Sequence, residues 1–204
     1  IERILELSPD LIVANQEENR KSDVAKLRQA GCEVWVTYPR TVKEGAEVLS
    51  QLSQLGASEK DIASIVKPVI RAFSNASRRR RKSDKNKAGP RVFCPIWKDP
   101  WMSVGQNTYA QDLIELCGGV NVFSALLDRR YPQVTEEQIV SSKPDVVLLP
   151  DEPYSFGQKD VVELGRLDIP AADGRVHCVD GTLISWYGPR IARAIETVES
   201  LINP

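Results

Sequence analysis

The chain has 204 residues, 42% hydrophobic and 27% charged, with 27 Lys and Arg against 28 Asp and Glu, a net charge of −1. That size and apolar content suffice for one large or two small globular domains, and the balanced charge excludes a general pull toward nucleic acid or anionic lipid. No apolar run approaches the ~20 residues of a membrane-spanning helix, and the first residues lack the basic, apolar and cleavage regions of a secretion signal.

The chain opens on the last turns of a helix holding Glu2 and Ile4. A Pro9-Asp10 turn, a buried strand Leu11-Ile12-Val13-Ala14 and an acidic loop at Glu17 follow. Next come a helix near Ser22 to Ala30, a strand Glu33 to Tyr38, and a helix begun by Thr41 and closed by Gly56. Ser58 with Asp61 three residues on resembles a capping box and opens a segment of helical pattern that runs to about Lys85. Ile62, Ile65, Val66, Val69, Ile70 and Phe73 fall at helical spacing and predict a buried stripe, with Pro68 expected to bend that helix rather than end it. The run Ser77 to Lys87 is wholly polar and holds Arg78, Arg79, Arg80, Arg81 and Lys82. Clustered arginines suit phosphates, but the neutral total, the lack of interleaved aromatics and the position at a helix carboxyl end favour a solvated helix tail or linker.

Gly89-Pro90 begins a second lobe with a strand Arg91 to Trp97, a helix near Thr108 to Leu116, and a helix and strand ending at Pro150. A polar helix Gln158 to Leu164, a strand Arg175 to Val179 and a helix Pro189 to Ile202 complete it, Pro189 suiting a first helical position. Strands separated by helices predict an α/β fold with mainly parallel sheets and right-handed crossovers. One segment type occurs twice. Setting Pro9-Asp10 on Pro144-Asp145 brings Glu2 onto Glu137, Ile4 onto Ile139 and Glu17 onto Glu152 without a gap. Two similar α/β lobes are therefore expected, with Glu17 and Glu152 at equivalent strand ends, where open α/β sheets bind ligands. The second copy is preceded by the strand at Arg91 and the first by almost nothing, so about 45 residues of a first lobe are expected to be missing.

Catalytic signatures are few. There is no Gly-rich phosphate loop, G-x-S-x-G, H-E-x-x-H or EF-hand pattern, and the single histidine, His177, alternates with Val176 and Cys178 in a strand, a structural position. Cys32, Cys94, Cys117 and Cys178 form no C-x-x-C pair and read as buried free thiols, with a Cys94 to Cys178 bridge left open. Aromatic residues instead gather in the loops between elements: Trp97, Trp101 with Met102, Tyr131, Tyr154, Phe156, Trp186 and Tyr187. Loops after parallel strands share one edge, and aromatics there offer stiff apolar contact to a bulky solute, although some of them will anchor loops to the core.

The stretches Ile1 to Val13, Leu116-Cys117-Gly118-Gly119-Val120-Asn121-Val122-Phe123, Tyr131-Pro132-Gln133-Val134, Lys143 to Leu149 and Gly188-Pro189-Arg190 carry a resemblance. In this order they resemble the bacterial substrate-binding proteins of ABC importers for vitamin B12 and iron-siderophores, the helical-backbone metal receptors. The resemblance implies two Rossmann-like lobes joined by one long helix, with 1–56 as a partial N-terminal lobe, 57–88 as the interlobe helix and 89–204 as the C-terminal lobe. It implies a noncatalytic, periplasmic or extracytoplasmic receptor with no intrinsic cofactor, binding a chelated metal complex between the lobes. Trp97, Trp101, Met102, Tyr131, Tyr154, Trp186, Tyr187 and Arg190 are the candidate ligand contacts. The aromatics favour cobalamin; a ferric siderophore or haem would call on Arg40, Arg129, Arg130 and Arg190, and a chelatase-like, metal-handling protein on a related fold is the further alternative. Glu17, Glu18 and Glu152 are the candidate acids that dock on an importer permease, with membrane association through that permease or an N-terminal anchor, and no nucleic acid partner.

Overall fold

The computed structural model describes residues 1–82, 88–126 and 129–204. Two compact units emerge, Ile1–Pro39 and Arg40–Pro204. The smaller holds α1 (Glu2–Glu6), β1 (Ile12–Asn15), α2 (Lys21–Gln29) and β2 (Val34–Thr37). β1 and β2 are parallel, Ile12 lying opposite Val34, and Ala14, Val24, Leu27 and Val34 form the small core between strands and helices.

In the larger unit, α3 (Val42–Ser53) starts from a closed capping box: the Thr41 hydroxyl accepts the Glu44 N–H at 3.1 Å, and the Glu44 carboxylate accepts the Thr41 N–H at 3.2 Å. A helical run over 59–82 follows without a break. It comprises α4 (Glu59–Asp61), a π-helical turn (Ile62–Val66) and α5 (Lys67–Lys82); the expected end at Lys85 lies outside the described residues. The π turn was not expected. Pro68 has no N–H to give the carbonyl of Ser64, and its ring crowds that carbonyl. The wider turn just before it, in which the Lys67 N–H reaches the Ile62 carbonyl, lets the helix pass the proline. The inserted residue also narrows the apolar stripe. Val66 and Val69 are buried, while Ile65 and Ile70 are 39% and 44% exposed.

Then come β3 (Arg91–Phe93), β4 (Pro95–Trp97), β5 (Met102–Ser103), α6 (Tyr109–Leu116), β6 (Val120–Asn121) and α7 (Glu136–Ser142). They are followed by β7 (Val146–Pro150), α8 (Gln158–Leu164), β8 (Val176–Val179), α9 (Gly181–Ser185) and α10 (Ile191–Ile202). A parallel sheet runs β6-β3-β7-β8. The single strand expected over 91–97 is two, because Pro95 lacks the N–H that a parallel ladder needs; β4 leaves the sheet and pairs antiparallel with β5. The last helix starts at Ile191, not at Pro189. Gly188, at φ 97°, turns the chain, and its carbonyl accepts the Ile191 N–H. No helix among the described residues is long and apolar enough to cross a membrane.

The internal repeat extends further than the matched residues. Ser8 and Lys143, each directly before the repeated proline, are both left-handed, at φ 47° and 44°. The Ile12 N–H bonds to the Glu33 carbonyl as Val147 does to Arg175, and Gln16 to Thr37 as Asp151 does to Val179. Hence α1-β1-α2-β2 and α7-β7-α8-β8 are one unit used twice, down to strand register.

A lysine has no conformational reason to be left-handed, and the arrangement costs about 1 kcal/mol relative to glycine. Lys143→Gly is expected to raise the unfolding free energy by about that amount in urea melts, and Lys143→Ala to give no gain.

Candidate functional site

The site is built on the carboxyl edge of the four-stranded sheet, where the loops after parallel strands meet. Phe93, fully buried at the end of β3, meets Trp101 and Phe123 edge-on at 6.1 and 5.6 Å between ring centroids. Trp101 stacks on Phe156 at 5.9 Å, Phe156 lies 4.5 Å from Tyr154, and Tyr154 meets Trp97 edge-on at 5.7 Å. The rings thus form two layers. Phe93, Phe123, Phe156 and Trp101 belong to the core, and Trp97 and Tyr154 lie above them. Among the exposed large apolar side chains of the described residues there are three aromatics, Trp97, Tyr131 and Trp186, at 43, 36 and 49%; Trp97 ends β4, Tyr131 lies in the connection from β6 to α7, and Trp186 caps the end of α9.

The other candidate contacts are placed differently. Met102 is half-buried in β5, opposite Trp97 and bridged to Gln133. Tyr187 is half-buried, 6.3 Å from Tyr109, and packs so closely on α3 that a Cβ at Gly45 would fall 2.8 Å from its own Cβ. Arg190 is exposed at the start of α10. The Arg130 guanidinium lies over the Tyr131 ring at 5.3 Å, and its Nε donates to the Asn107 carbonyl at 2.9 Å.

Glu152 is half-buried and accepts a hydrogen bond from the Trp186 indole N–H. Gly181 makes room for it, since a Cβ there would fall 2.4 Å from the Glu152 Cγ. In the smaller unit Glu17 and Glu18 are exposed on a loop folded by Asn15, whose Oδ1 accepts their N–H groups at 2.7 and 3.2 Å.

One residue escaped the sequence reading. Lys98, at the tip of the β4–β5 hairpin, is 11% exposed, with Nζ 3.0 Å from Asp160 and 2.5 Å from Glu163 and 5.3 Å from the Trp101 ring centroid. Asp160 is fully buried, and its other oxygen accepts the Gly157 N–H at 2.9 Å, capping α8. Burial favours the neutral amine, but the hydrogen bonds and charges of Glu163 and Asp160 outweigh it and hold the Lys98 pKa above the ordinary lysine value. Asp160 and Glu163 share a helix face at i, i+3, but they are distant in sequence from Lys98 and carry no local sign of it.

All four cysteines are free. Burial pushes the Cys94 and Cys117 thiols up to about 12, which leaves them inert, whereas Cys178 is exposed, against expectation. His177 lies in β8 opposite Leu148, its pKa lowered by burial and then by Arg175. Among the described residues no three His, Cys, Asp or Glu side chains group as metal ligands. The edge offers apolar ring faces with charged groups beside them, Asp151 and Glu152 after β7, Asp180 after β8 and Lys159 5.6 Å from the Tyr154 ring centroid, an arrangement that suits holding a solute.

The profile described as periplasmic binding protein matches residues 1–172. A vitamin B12-binding protein of Vibrio cholerae is 29% identical over 198 residues, covering 97% of this chain and 70% of the relative. The crystal structure of the periplasmic vitamin B12 binding protein of the same species matches with a TM-score of 0.80 at 24% identity, over 98% of this chain and 76% of that one. A periplasmic haem-binding protein of V. cholerae matches with a TM-score of 0.76 at 20% identity, over 100% of this chain and 80% of the other. These solved structures share the fold.

Removing the amine strands a fully buried carboxylate. Lys98→Met is therefore expected to destabilise by about 3–5 kcal/mol, read in urea melts. The Lys98 pKa is raised on folding, so this contribution is complete from neutral pH up to the ordinary lysine value of about 10.4 and is lost as pH rises through the raised folded value.

Proposed function

The chain belongs to the periplasmic binding protein family, and from that premise we propose that it is a noncatalytic receptor that carries a chelated metal complex, a corrinoid by preference, to an ABC importer. The observation that carries this reading is the edge itself: Trp97, Tyr131 and Trp186 are the exposed aromatics among the described residues, and Tyr154, Trp101 and Phe156 back the first of them. Rings already packed on one another have little rotamer freedom to lose when a broad apolar solute covers them. Trp101, Met102 and Tyr187 serve this surface as partly buried supports, and Arg190 as a polar contact at its rim. The vitamin B12-binding names of the relatives agree with it. A ferric siderophore or haem is the competing solute; of the arginines it would call on, Arg130 is engaged with Asn107 and Tyr131, and Arg40, Arg129 and Arg190 are exposed. The family implies an extracytoplasmic site of action, and we propose that 57–88, helical over 59–82 among the described residues, is the segment that joins 1–56 to 89–204. We assign Glu17, with Glu18 beside it, and Glu152 to docking on the permease, from their equivalent places in the repeat.

Titration with cobalamin, followed by tryptophan quenching, is expected to give submicromolar affinity, roughly −8 kcal/mol or better. Trp186→Ala and Trp97→Ala are each expected to weaken it about tenfold, some 1.4 kcal/mol. Binding of a ferric siderophore or haem with no response to cobalamin would change the solute, and binding of none of them would overturn the receptor reading.

Docking is tested separately by Glu17→Gln with Glu152→Gln. Glutamine at 152 keeps an acceptor for the Trp186 N–H while removing the charge. Solute affinity is expected to stay within about twofold, and importer-dependent uptake to fall about tenfold or more. Unchanged uptake, or collapse of solute binding, would remove these acids from the docking role.

A further inference from the structure

α5 carries seven basic and no acidic side chains in its 16 residues. At 100° per residue, four of the seven, Lys67, Arg71, Arg78 and Lys82, fall within a strip about 60° wide and about 22 Å long. All four are exposed. The opposite side of the helix holds Val69 and Ala76, each 1% exposed, packed in the main core with α10 and α6.

The remaining cations have other work. Arg79 forks onto Glu199 of α10 through Nε at 2.7 Å and a terminal nitrogen at 2.6 Å. Arg80 and Arg81 line a recess that also contains Asp112 and Glu115. Among the described residues none of Lys67, Arg71, Arg78 and Lys82 makes an ion pair, and Arg78 donates to Asn75 Oδ1 at 2.8 Å. The helix dipole accounts for cations in the last turn, but its influence fades within that turn and does not reach Lys67 or Arg71. Like charges four residues apart, as at 67 and 71 and again at 78 and 82, disfavour the helix slightly. The row therefore has a small cost that no ion pair among the described residues offsets.

A straight row of one sign about 22 Å long matches an extended array of negative charge better than a compact partner, and the recess that Lys67 and Arg71 line with Ala63, Pro68, Ala72 and Asn75 contains no acidic group. Exposed Ile70 lies beside it as a shallow apolar contact. The row is one helix face without aromatic or groove-reading groups, which argues against nucleic acid. We propose that this strip of α5 rests on an anionic lipid surface, the phosphate headgroups of the membrane in which the importer sits. The choice of a membrane rests on the receptor reading, whereas the strip itself does not.

Co-sedimentation with vesicles of phosphatidylcholine containing about one third phosphatidylglycerol tests it, at low salt and at about 0.5 M NaCl. The protein is expected to bind these vesicles at low salt, to leave them at high salt, and to ignore pure phosphatidylcholine. Each cation near such a surface is worth about fivefold in partitioning, so Lys67→Gln with Arg71→Gln should lower binding about 25-fold, and the four-site variant over ~100-fold. Glutamine keeps nearly the same helix preference, and the two-site variant, far from the Arg79 anchor, remains informative if the larger one unfolds. Arg80→Gln with Arg81→Gln should cost less than the two-site variant. Absence of binding to the anionic vesicles, equal binding by the strip variants, or binding of duplex DNA or an acidic peptide in place of vesicles would each overturn the proposal. Neither solute nor permease is present, so failure here leaves the receptor reading intact, and failure of the cobalamin titration leaves this one intact.

Discussion

Everything in the larger unit depends on β7 being buried along its whole length. It is hydrogen-bonded to β3 on one side and β8 on the other, and all five of its residues are inaccessible. Because side chains alternate across a strand, Val146 and Leu148 face one core and Val147 and Leu149 the other. The first core takes up α6, α9, α10 and the apolar side of α5. The second takes up Phe93, Phe123 and Phe156, and with them the base of the aromatic edge. One strand thus ties the long helix and the ring layers to opposite faces of the same sheet, and a one-residue slip would exchange both sets.

The second core is where apolar packing alone would not specify an arrangement. Flat rings slide over one another at little cost, but the Lys98 contacts with Asp160 and Glu163 do not slide. They fix the tip of the β4–β5 hairpin to the first turns of α8, and so set Trp97 and Trp101 against Tyr154 and Phe156. A buried ion pair contributes little net stability compared with a well-packed apolar substitute. Its value here is positional, since each ring above it inherits a defined place.

Much of this was legible in the sequence, and the failures share a cause. The repeat, the parallel order and the helix of 158–164 could be read because each rests on local pattern: a Pro-Asp turn, alternation of helices and strands, a polar helical face. β5 and β6 are two residues each and α9 is five, too short for any period to show. The break at Pro95 and the π turn before Pro68 were both foreshadowed by prolines, but a proline says that an N–H is missing and leaves open how the chain absorbs the loss. In one case the strand changed sheets and in the other the helix widened. The aromatic residues could be collected from loops, but not sorted. Trp101 and Trp97 look alike in sequence, and only the positions of Phe93 and Phe156 decide which is support and which is surface.

The same distinction governs the two acidic loops. The strands that lead into them are equivalent, yet the loops differ, the second having a cis Glu152–Pro153 bond, and the side chains are held by different means. Asn15 folds the first loop through backbone N–H groups and leaves the Glu17 side chain exposed, whereas Glu152 is half-buried under the indole of Trp186 and against Gly181. A duplicated fold preserves where a residue starts from, because register and turn geometry are shared by both copies. It does not preserve where the side chain ends, because that is settled by neighbours each copy acquired for itself. Glu152 therefore ties its carboxylate to the aromatic side chain of Trp186 in a way that Glu17 does not, and a neutral change at 152 must keep the hydrogen-bond acceptor if charge and packing are to be separated.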